Sequence, residues 1–309
     1  MVLTRLRDII QNDIGQRGLR KDPARNLINA CSDNFANACR SLAEHPNPSL
    51  AVATGFFIPT ATPPAGETDG PLGALFLARA LTPMGIPVAI LTDAFCIQAL
   101  EAGLDACGLH VPLIALPSAT SSLRPDEYHR EVQTRLGDFA LTHLLAIERV
   151  GPNEQGRCHT MRGRDITALV SPAHHLFLPS PRGPITIGIG DGGNEIGMGK
   201  IPRDVVARNI PNGELVACQT ATDQLIVCGV SNWGAYALAA GIAHLRGISL
   251  DATLFDPERE RQLLETMVHA GPLVDGVTGQ PTATVDGLTW EQYAEVLVKI
   301  GESLASGTP

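Results

Sequence analysis

Residues 185–200, ITIGIGDGGNEIGMGK, decide how this chain reads. An apolar β-type run, Ile185–Ile189, opens into a loop that carries Gly190, Gly192, Gly193, Gly197 and Gly199, with Asp191, Asn194 and Glu195 set among them. Glycine lets a backbone approach a ligand closely and adopt positive φ. Carboxylates crowded on such a loop are costly unless a cation, a substrate ammonium or hydrogen-bond donors compensate them. The run therefore reads as a buried strand emptying into a site for a small polar molecule. Gly188, Gly190 and Gly193 nominally satisfy G-x-G-x-x-G, but a dinucleotide site needs a helix to open at the third glycine, and Gly197, Gly199 and Pro202 follow instead. A P-loop fails at both ends, with Asn194 in place of the leading glycine and Ile201 where Ser or Thr is needed. A nucleotide site and a glycine-rich turn with solvated acids stay open as alternatives.

Outward from this strand the pattern repeats. Candidate strands at Leu50–Phe57, Val88–Leu91, Val111–Leu116, His143–Ile147 and Leu225–Val230 alternate with helical periodicity at about 71–82, 94–106, 126–139, 166–176, 232–246, 257–270 and 289–304. Such alternation predicts βαβ units: an α/β fold with an open, mostly parallel, Rossmann-like sheet of about six strands and helices on both faces. Residues 1–48 read as an N-terminal helical arm, with Leu3, Leu6, Ile9 and Ile10 at helical spacing. The arm can pack outside the sheet or join a partner subunit in a homo-oligomer. Residues 49–309 form the α/β catalytic domain, with 151–180 as a small excursion over it. The Pro/Thr/Gly-rich segment Ile58–Gly70 is long for a compact domain, as binding loops and lids are.

Composition narrows the partners. A net charge of −9, no Lys/Arg cluster and 4% aromatic residues argue against nucleic acid and anionic membrane surfaces. No apolar stretch reaches the length of a membrane span. The start, MVLTRLRDIIQND, lacks a signal peptide's apolar region, which makes the cytoplasm the expected compartment. Seven scattered cysteines without C-x-x-C or zinc spacing read as small core residues. Neither G-x-S-x-G nor H-E-x-x-H occurs.

Open parallel sheets bind ligands beyond the carboxyl ends of their strands. Here those ends concentrate polar groups: Thr54 with Glu67 and Asp69 after the first strand, Asp93 after the second, Glu148-Arg149 after the fourth, Asp191-Gly192-Gly193-Asn194-Glu195 after the fifth, and Ser231-Asn232 after the sixth. Asp69, before Gly70-Pro71, also suits the N-cap of the next helix. Ser231 or Asn232 can cap theirs, although a helix start also holds carboxylates. Arg149 is a natural fork for a substrate carboxylate. Asp165 reads as the cap of a helix from Ile166.

The blocks TGFFIPTATPPAGETDGPLGA (54–74), ERVG (148–151), GIGDGGNEIGMGK (188–200) and TDQLIVCGVSNWGAYAL (222–238) resemble the D-glutamate cyclase C-terminal domain family, in order and over most of residues 50–245. Two departures are GRCHTMRG, where a tyrosine-containing version is expected around His159, and Ala235 in SNWGAY, where a second glycine is expected. The resemblance implies a hydro-lyase (a carbon–oxygen lyase) that converts D-glutamate to 5-oxo-D-proline and water, with a small amino acid as its partner. It implies Glu195 or Glu67 as the base that deprotonates the amine, and a divalent cation (Mn or Mg) on Asp191, Glu195 or Glu67 as Lewis acid. Amides of Gly192, Gly193 and Asn194 would steady the oxyanion. Arg149 and the Ser231/Asn232 helix start would hold the α-carboxylate. No organic cofactor is expected. A non-catalytic amino-acid-binding module is the other alternative.

Overall fold

Along the chain, the computed structural model, which describes residues 1–306, places strands β1 (Leu50–Thr54), β2 (Phe57–Ile58), β3 (Ala65–Glu67), β4 (Val88–Thr92), β5 (Leu113–Ala115), β6 (His143–Ile147), β7 (Ile185–Gly190), β8 (Gln224–Val227) and β9 (Leu273–Val274). The α-helices are α1 (Val2–Ile10), α2 (Leu27–Ala30), α3 (Asn34–Glu44), α4 (Pro71–Leu81), α5 (Ala94–Ala106), α6 (Pro125–Leu136), α7 (Arg203–Asn209), α8 (Gly213–Val216), α9 (Ser231–Arg246), α10 (Pro257–Ala270) and α11 (Trp290–Ala305). The last three residues of the expected catalytic domain lie outside the described residues.

The main sheet is parallel throughout, in the order β5-β4-β1-β6-β7-β8. Counted within that sheet the order is 3-2-1-4-5-6, the doubly wound arrangement whose direction reverses between β1 and β6. Alternation along β1 sets its two faces. Leu50 and Val52 pack with α4 and α9, while the smaller Ala51 and Ala53 meet Tyr128, Val132 and Phe177 on the other side. The helix α9 is buried from Ser231 to Ala243. Its Ala/Gly-rich surface is apolar all round, as a central helix must be.

Several expectations shift. The first strand stops at Thr54 because Gly55 turns with φ +105, and Phe57 joins a second sheet, β2-β3-β9. The helix expected over 166–176 is replaced by short 3-10 turns at Thr167–Leu169 and Ala173–Phe177, with Pro172 between them. Asp165 still caps, accepting from the Thr167 amide at 2.9 Å. The helical turns α7 and α8 were not expected. Residues 151–180 hold neither strand nor α-helix. The arm is helical at α1 and α3, whose Leu6, Ile10, Phe35, Cys39 and Leu42 share the core with α9. It packs against its own chain. Between those helices, residues 11–26 run irregularly to the ends of the sheet strands, where the Gly229 amide donates to Ile10 O at 2.8 Å.

Candidate active site

At the β1/β6 reversal the starts of α4 and α9 meet and cap each other. Asp69 accepts from the Ser231 and Asn232 amides, both at 2.8 Å, and Asn232 Oδ1 accepts from the Gly70 and Gly73 amides at 2.9 and 2.7 Å. Asp69 thus caps α9 and keeps one local bond, accepting from the Gly70 amide at 3.0 Å, while the Gly70 and Gly73 amides of its own helix are also held by Asn232 of α9, so the expected local cap is extended to a crossed one. Gly70 makes the junction feasible. Its φ is +94, and a Cβ there would lie 2.6 Å from Thr54 Oγ1 and 2.9 Å from Glu148 Cβ.

Around this junction five buried carboxyl groups, Glu67, Asp69, Glu148, Asp191 and Asp286, surround a single guanidinium, Arg17. Arg17 bonds Asp191 at 2.5 Å and also pairs with Asp286. Ser231 Oγ donates to Glu148 Oε2 at 2.6 Å. Glu67 Oε1, Asp191 Oδ2, Asp286 Oδ2 and Thr54 Oγ1 are buried without a partner. Burial, then the Asp286 and Asp69 carboxylates, raise Glu67 well above the ordinary carboxyl range, with Arg17 pulling the other way. Burial and then Asp286 push Asp69 up to about 8, against the capping amides that lower it. Glu148 rises through burial and then Glu195. Asp191 rises through burial, opposed by Arg17. The cluster is electron-rich beyond what one arginine neutralises, and it calls for protons or a further cation.

One carboxylate oxygen from each of Asp69, Glu148 and Asp191 lies within 4.8 Å of the others. Together with the orphaned Asp191 Oδ2, this all-oxygen set fits a hard divalent cation. Two of the acids sit on left-handed backbone, Glu148 at φ +44 and Asp286 at φ +57. Such conformations cost on the order of 1 kcal/mol or more for a non-glycine residue and gather at functional sites.

The glycine loop behaves differently from its expected role. Glu195 folds back, and its carboxylate accepts from the amides of Asp191 at 2.9 Å, Gly192 at 2.5 Å and Gly193 at 2.6 Å. The expected oxyanion donors Gly192 and Gly193 are therefore filled from within the chain. Glu195 serves as a loop staple there, which removes it from the expected base and metal set. Asn194 Nδ2 donates to His159 O at 2.8 Å, and its Oδ1 has no partner. No helix opens at Gly193, which removes the dinucleotide geometry as well.

Arg149 is also committed elsewhere. Its fork pairs with Asp93 and donates to Gly55 O at 2.8 Å and Ser171 O at 2.7 Å. It does not line the cavity, and the Ser231 and Asn232 amides are closed by Asp69, so the expected α-carboxylate donors are occupied. Glu67, Asp69, Glu148, Asp191, Thr54, Ser231 and Asn232 do converge on the junction. Arg17 and Asp286 were missed. Arg17 lies in a segment read as helix, although Gly15 and Gly18 flank it closely. Asp286-Gly287 is the two-residue turn signal itself, with both residues at positive φ between the paired Val285 and Leu288.

A cavity of about 250 Å³ opens beside the cluster. Glu67, Glu148, Asp286 and Arg17 form its floor, and Pro59, Met161, Arg162, Arg164 and Val277 surround its mouth.

Residues 6–301 match the family described as D-glutamate cyclase-like, C-terminal. The human protein named D-glutamate cyclase, mitochondrial, is 35% identical over 243 residues, which cover 77% of this chain and 38% of that protein. The chain thus aligns with well under half of its human relative. With the family's match running almost from end to end, the chain belongs to the D-glutamate cyclase-like C-terminal family.

Proposed function

We propose that the chain is a hydro-lyase that cyclises D-glutamate to 5-oxo-D-proline and water. The observation that carries this reading is the floor of the cavity, where buried carboxyl groups with raised proton affinity stand beside unpartnered carboxylate oxygens. The substrate brings an ammonium group that such a floor receives. The α-ammonium gives a proton to Glu67, whose Oε1 is free, and the amine attacks the γ-carboxyl carbon. As the C–N bond forms, the nitrogen's second proton passes to a γ-carboxylate oxygen; the resulting hydroxyl takes the proton held by Glu67 and leaves as water as the C–O bond breaks. Burial and the neighbouring carboxylates raise the proton affinity of Glu67, which suits it to hold that proton between the two steps. Both protons of the departing water thus come from the ammonium group, Glu67 returns to its starting state each turnover, and Glu148, fixed by Ser231 Oγ, is left to the cation. Burial of the floor keeps bulk water from competing.

Asp69, Glu148 and Asp191 would hold Mn²⁺ or Mg²⁺, which supplies Lewis-acid stabilisation of a carboxylate oxygen. The relative named D-glutamate cyclase supports the substrate class. Proton NMR with D-glutamate, with L-glutamate as control and with Mn²⁺, Mg²⁺ or EDTA, tests the reading. 5-Oxoproline from the D isomer is expected. The variant Glu67→Gln should lose ~10²–10⁴-fold in kcat with its Tm unchanged. Absence of product under every condition would refute the proposal, and binding without turnover would mark an amino-acid-binding module.

A further inference from the structure

If the floor takes the amine and the γ-carboxyl, as the cyclase reading requires, the α-carboxylate must find donors elsewhere. Most local candidates are already engaged. The Gly192 and Gly193 amides hold Glu195, the Ser231 and Asn232 amides hold Asp69, Arg149 holds Asp93, and Arg17 holds Asp191 and Asp286. At the mouth the situation reverses. Residues 159–165 form a tight hairpin: His159 bridges Asp165, the Thr160 amide donates to Arg164 O at 2.9 Å, and Gly163 turns at φ +80. Asn194 Nδ2 fastens its base through His159 O at 2.8 Å, and Asn212 Nδ2 fastens its tip through Met161 O at 3.0 Å. The hairpin presents Arg162 and Arg164 at the cavity. Arg162 donates to Val277 O at 2.7 Å and Arg164 to Pro59 O at 3.4 Å. Both acceptors are neutral carbonyls, and among the described residues neither arginine forms an ion pair. Each guanidinium carries five N–H donors, so donors remain for an anion.

The geometry points to Arg162 and Arg164 as the reader of the substrate α-carboxylate, and so as the specificity determinants for an α-amino dicarboxylate over an amine that lacks the α-carboxylate. This rests on the proposed cyclase function. The polarity is laid out along one axis: cation-seeking acids at the floor, two uncompensated cations at the rim. The asparagine of the glycine loop holds the hairpin over that floor, so residues 188–200 position the reader rather than touch the carboxylate themselves. A reader this exposed is also open to screening by salt.

The test is steady-state kinetics of the full chain with D-glutamate, together with inhibition by 4-aminobutanoate, which has the same amine and γ-carboxylate but no α-carboxylate. In R162Q/R164Q the KM for D-glutamate should rise ~10- to 100-fold with a smaller change in kcat, the loss of a charge-assisted carboxylate contact. The inhibition constant of 4-aminobutanoate should stay within about twofold, because that ligand never used the rim. The variant R162K/R164K should recover part of the loss, and the dependence of KM on NaCl seen in the wild type should flatten in R162Q/R164Q. A double variant that keeps its KM for D-glutamate within about twofold overturns the assignment, as does an equal loss for both ligands. If the wild type binds D-glutamate calorimetrically without forming 5-oxoproline, the cyclase reading fails by itself. The rim assignment then stands or falls on whether R162Q/R164Q abolishes that binding. No binding by the wild type overturns both.

Discussion

Glu195→Gln separates a loop staple from a catalytic base. In the native chain one carboxylate oxygen accepts the Asp191 and Gly192 amides and the other accepts the Gly193 amide, all buried. The glutamine keeps one acceptor oxygen, so two of these bonds survive in weaker, neutral form. Its NH₂ group then faces the Gly193 N–H, donor against donor. Loss of one charge-assisted bond costs about 1.5–3 kcal/mol and the stranded buried amide about 1–3 more, so the change destabilises by roughly 2.5–6 kcal/mol. With an unfolding entropy of about 2.1 cal/mol/K per residue over roughly 300 residues, that is a fall in Tm of about 4–10 °C. Differential scanning fluorimetry reads it without any assumption about activity. A general base would behave the other way, with kcat falling steeply and Tm unmoved. A Tm within about 1 °C of the wild type would refute the staple.

The crossed caps predict that Asp69→Ala and Asn232→Ala each cost about 1–2 kcal/mol in urea unfolding. The double variant should cost less than their sum, because both act on one junction; strict additivity would show two independent caps. Mn²⁺ at about a hundred times its Kd should add ~2.7 kcal/mol of stability, or about 4 °C, and Asp191→Asn should remove the shift. A wild type whose Tm ignores Mn²⁺ and Mg²⁺ has no such site. Burial, and then His45, hold the His143 imidazole down at about 4. An unfolded histidine takes up a proton near pH 6.5, so stability falls as pH drops from about 6.5 to about 4. In Tm measured across that window, His143→Leu should flatten the fall; an unchanged pH profile would mean that His143 is protonated equally in both states.

Much of the fold was legible because its signals are local. Most strands of the main sheet are short apolar runs ended by glycine or polar residues, and α9 announces itself by an apolar surface with no polar face. The convergence of Thr54, Glu67, Asp69, Glu148 and Asp191 was legible from the rule that parallel strands deliver their exits to one edge. Partnering was not. A sequence shows that Glu195 is near three glycine-loop amides but not that its side chain turns back to fill them. Adjacent Glu148 and Arg149 were both read as strand-exit groups, yet only the packed structure reveals that Glu148 reaches the cavity while Asp93 and the Ser171 carbonyl already claim the arginine. Arg17 and Asp286 reach the cluster across 174 and 95 residues of chain respectively from Asp191, distances that no periodicity spans. The helix expected over 166–176 failed because apolar spacing outweighed a proline that the backbone could not accommodate.

These misses share a physical cause, and it bears on what the cavity accepts. At the β1/β6 crevice the amides of the glycine loop and of the start of α9 are matched with carboxylates of the chain itself, Glu195 and Asp69 respectively. In doubly wound proteins those same amides are the usual seat of a phosphate. Here they are closed by side-chain anions, and a phosphate would have to displace a buried carboxylate into a neighbourhood that already holds an excess of them. The floor therefore disfavours an uncompensated anion, so that a γ-carboxylate enters it only together with a proton or a cation, which the orphaned oxygens on Glu67 and Asp286 and on the adjoining Asp191 attract. The left-handed backbone of Glu148 sits against the crossed caps and the buried Ser231–Ala243 part of α9, whereas that of Asp286 belongs to its Asp-Gly turn. A cavity of about 250 Å³ with a cation-seeking floor and an arginine rim matches a small zwitterion with its ammonium inward and a carboxylate outward. It is that inversion of the usual nucleotide crevice, rather than the glycine count, that separates this site from the dinucleotide folds whose strand order it shares.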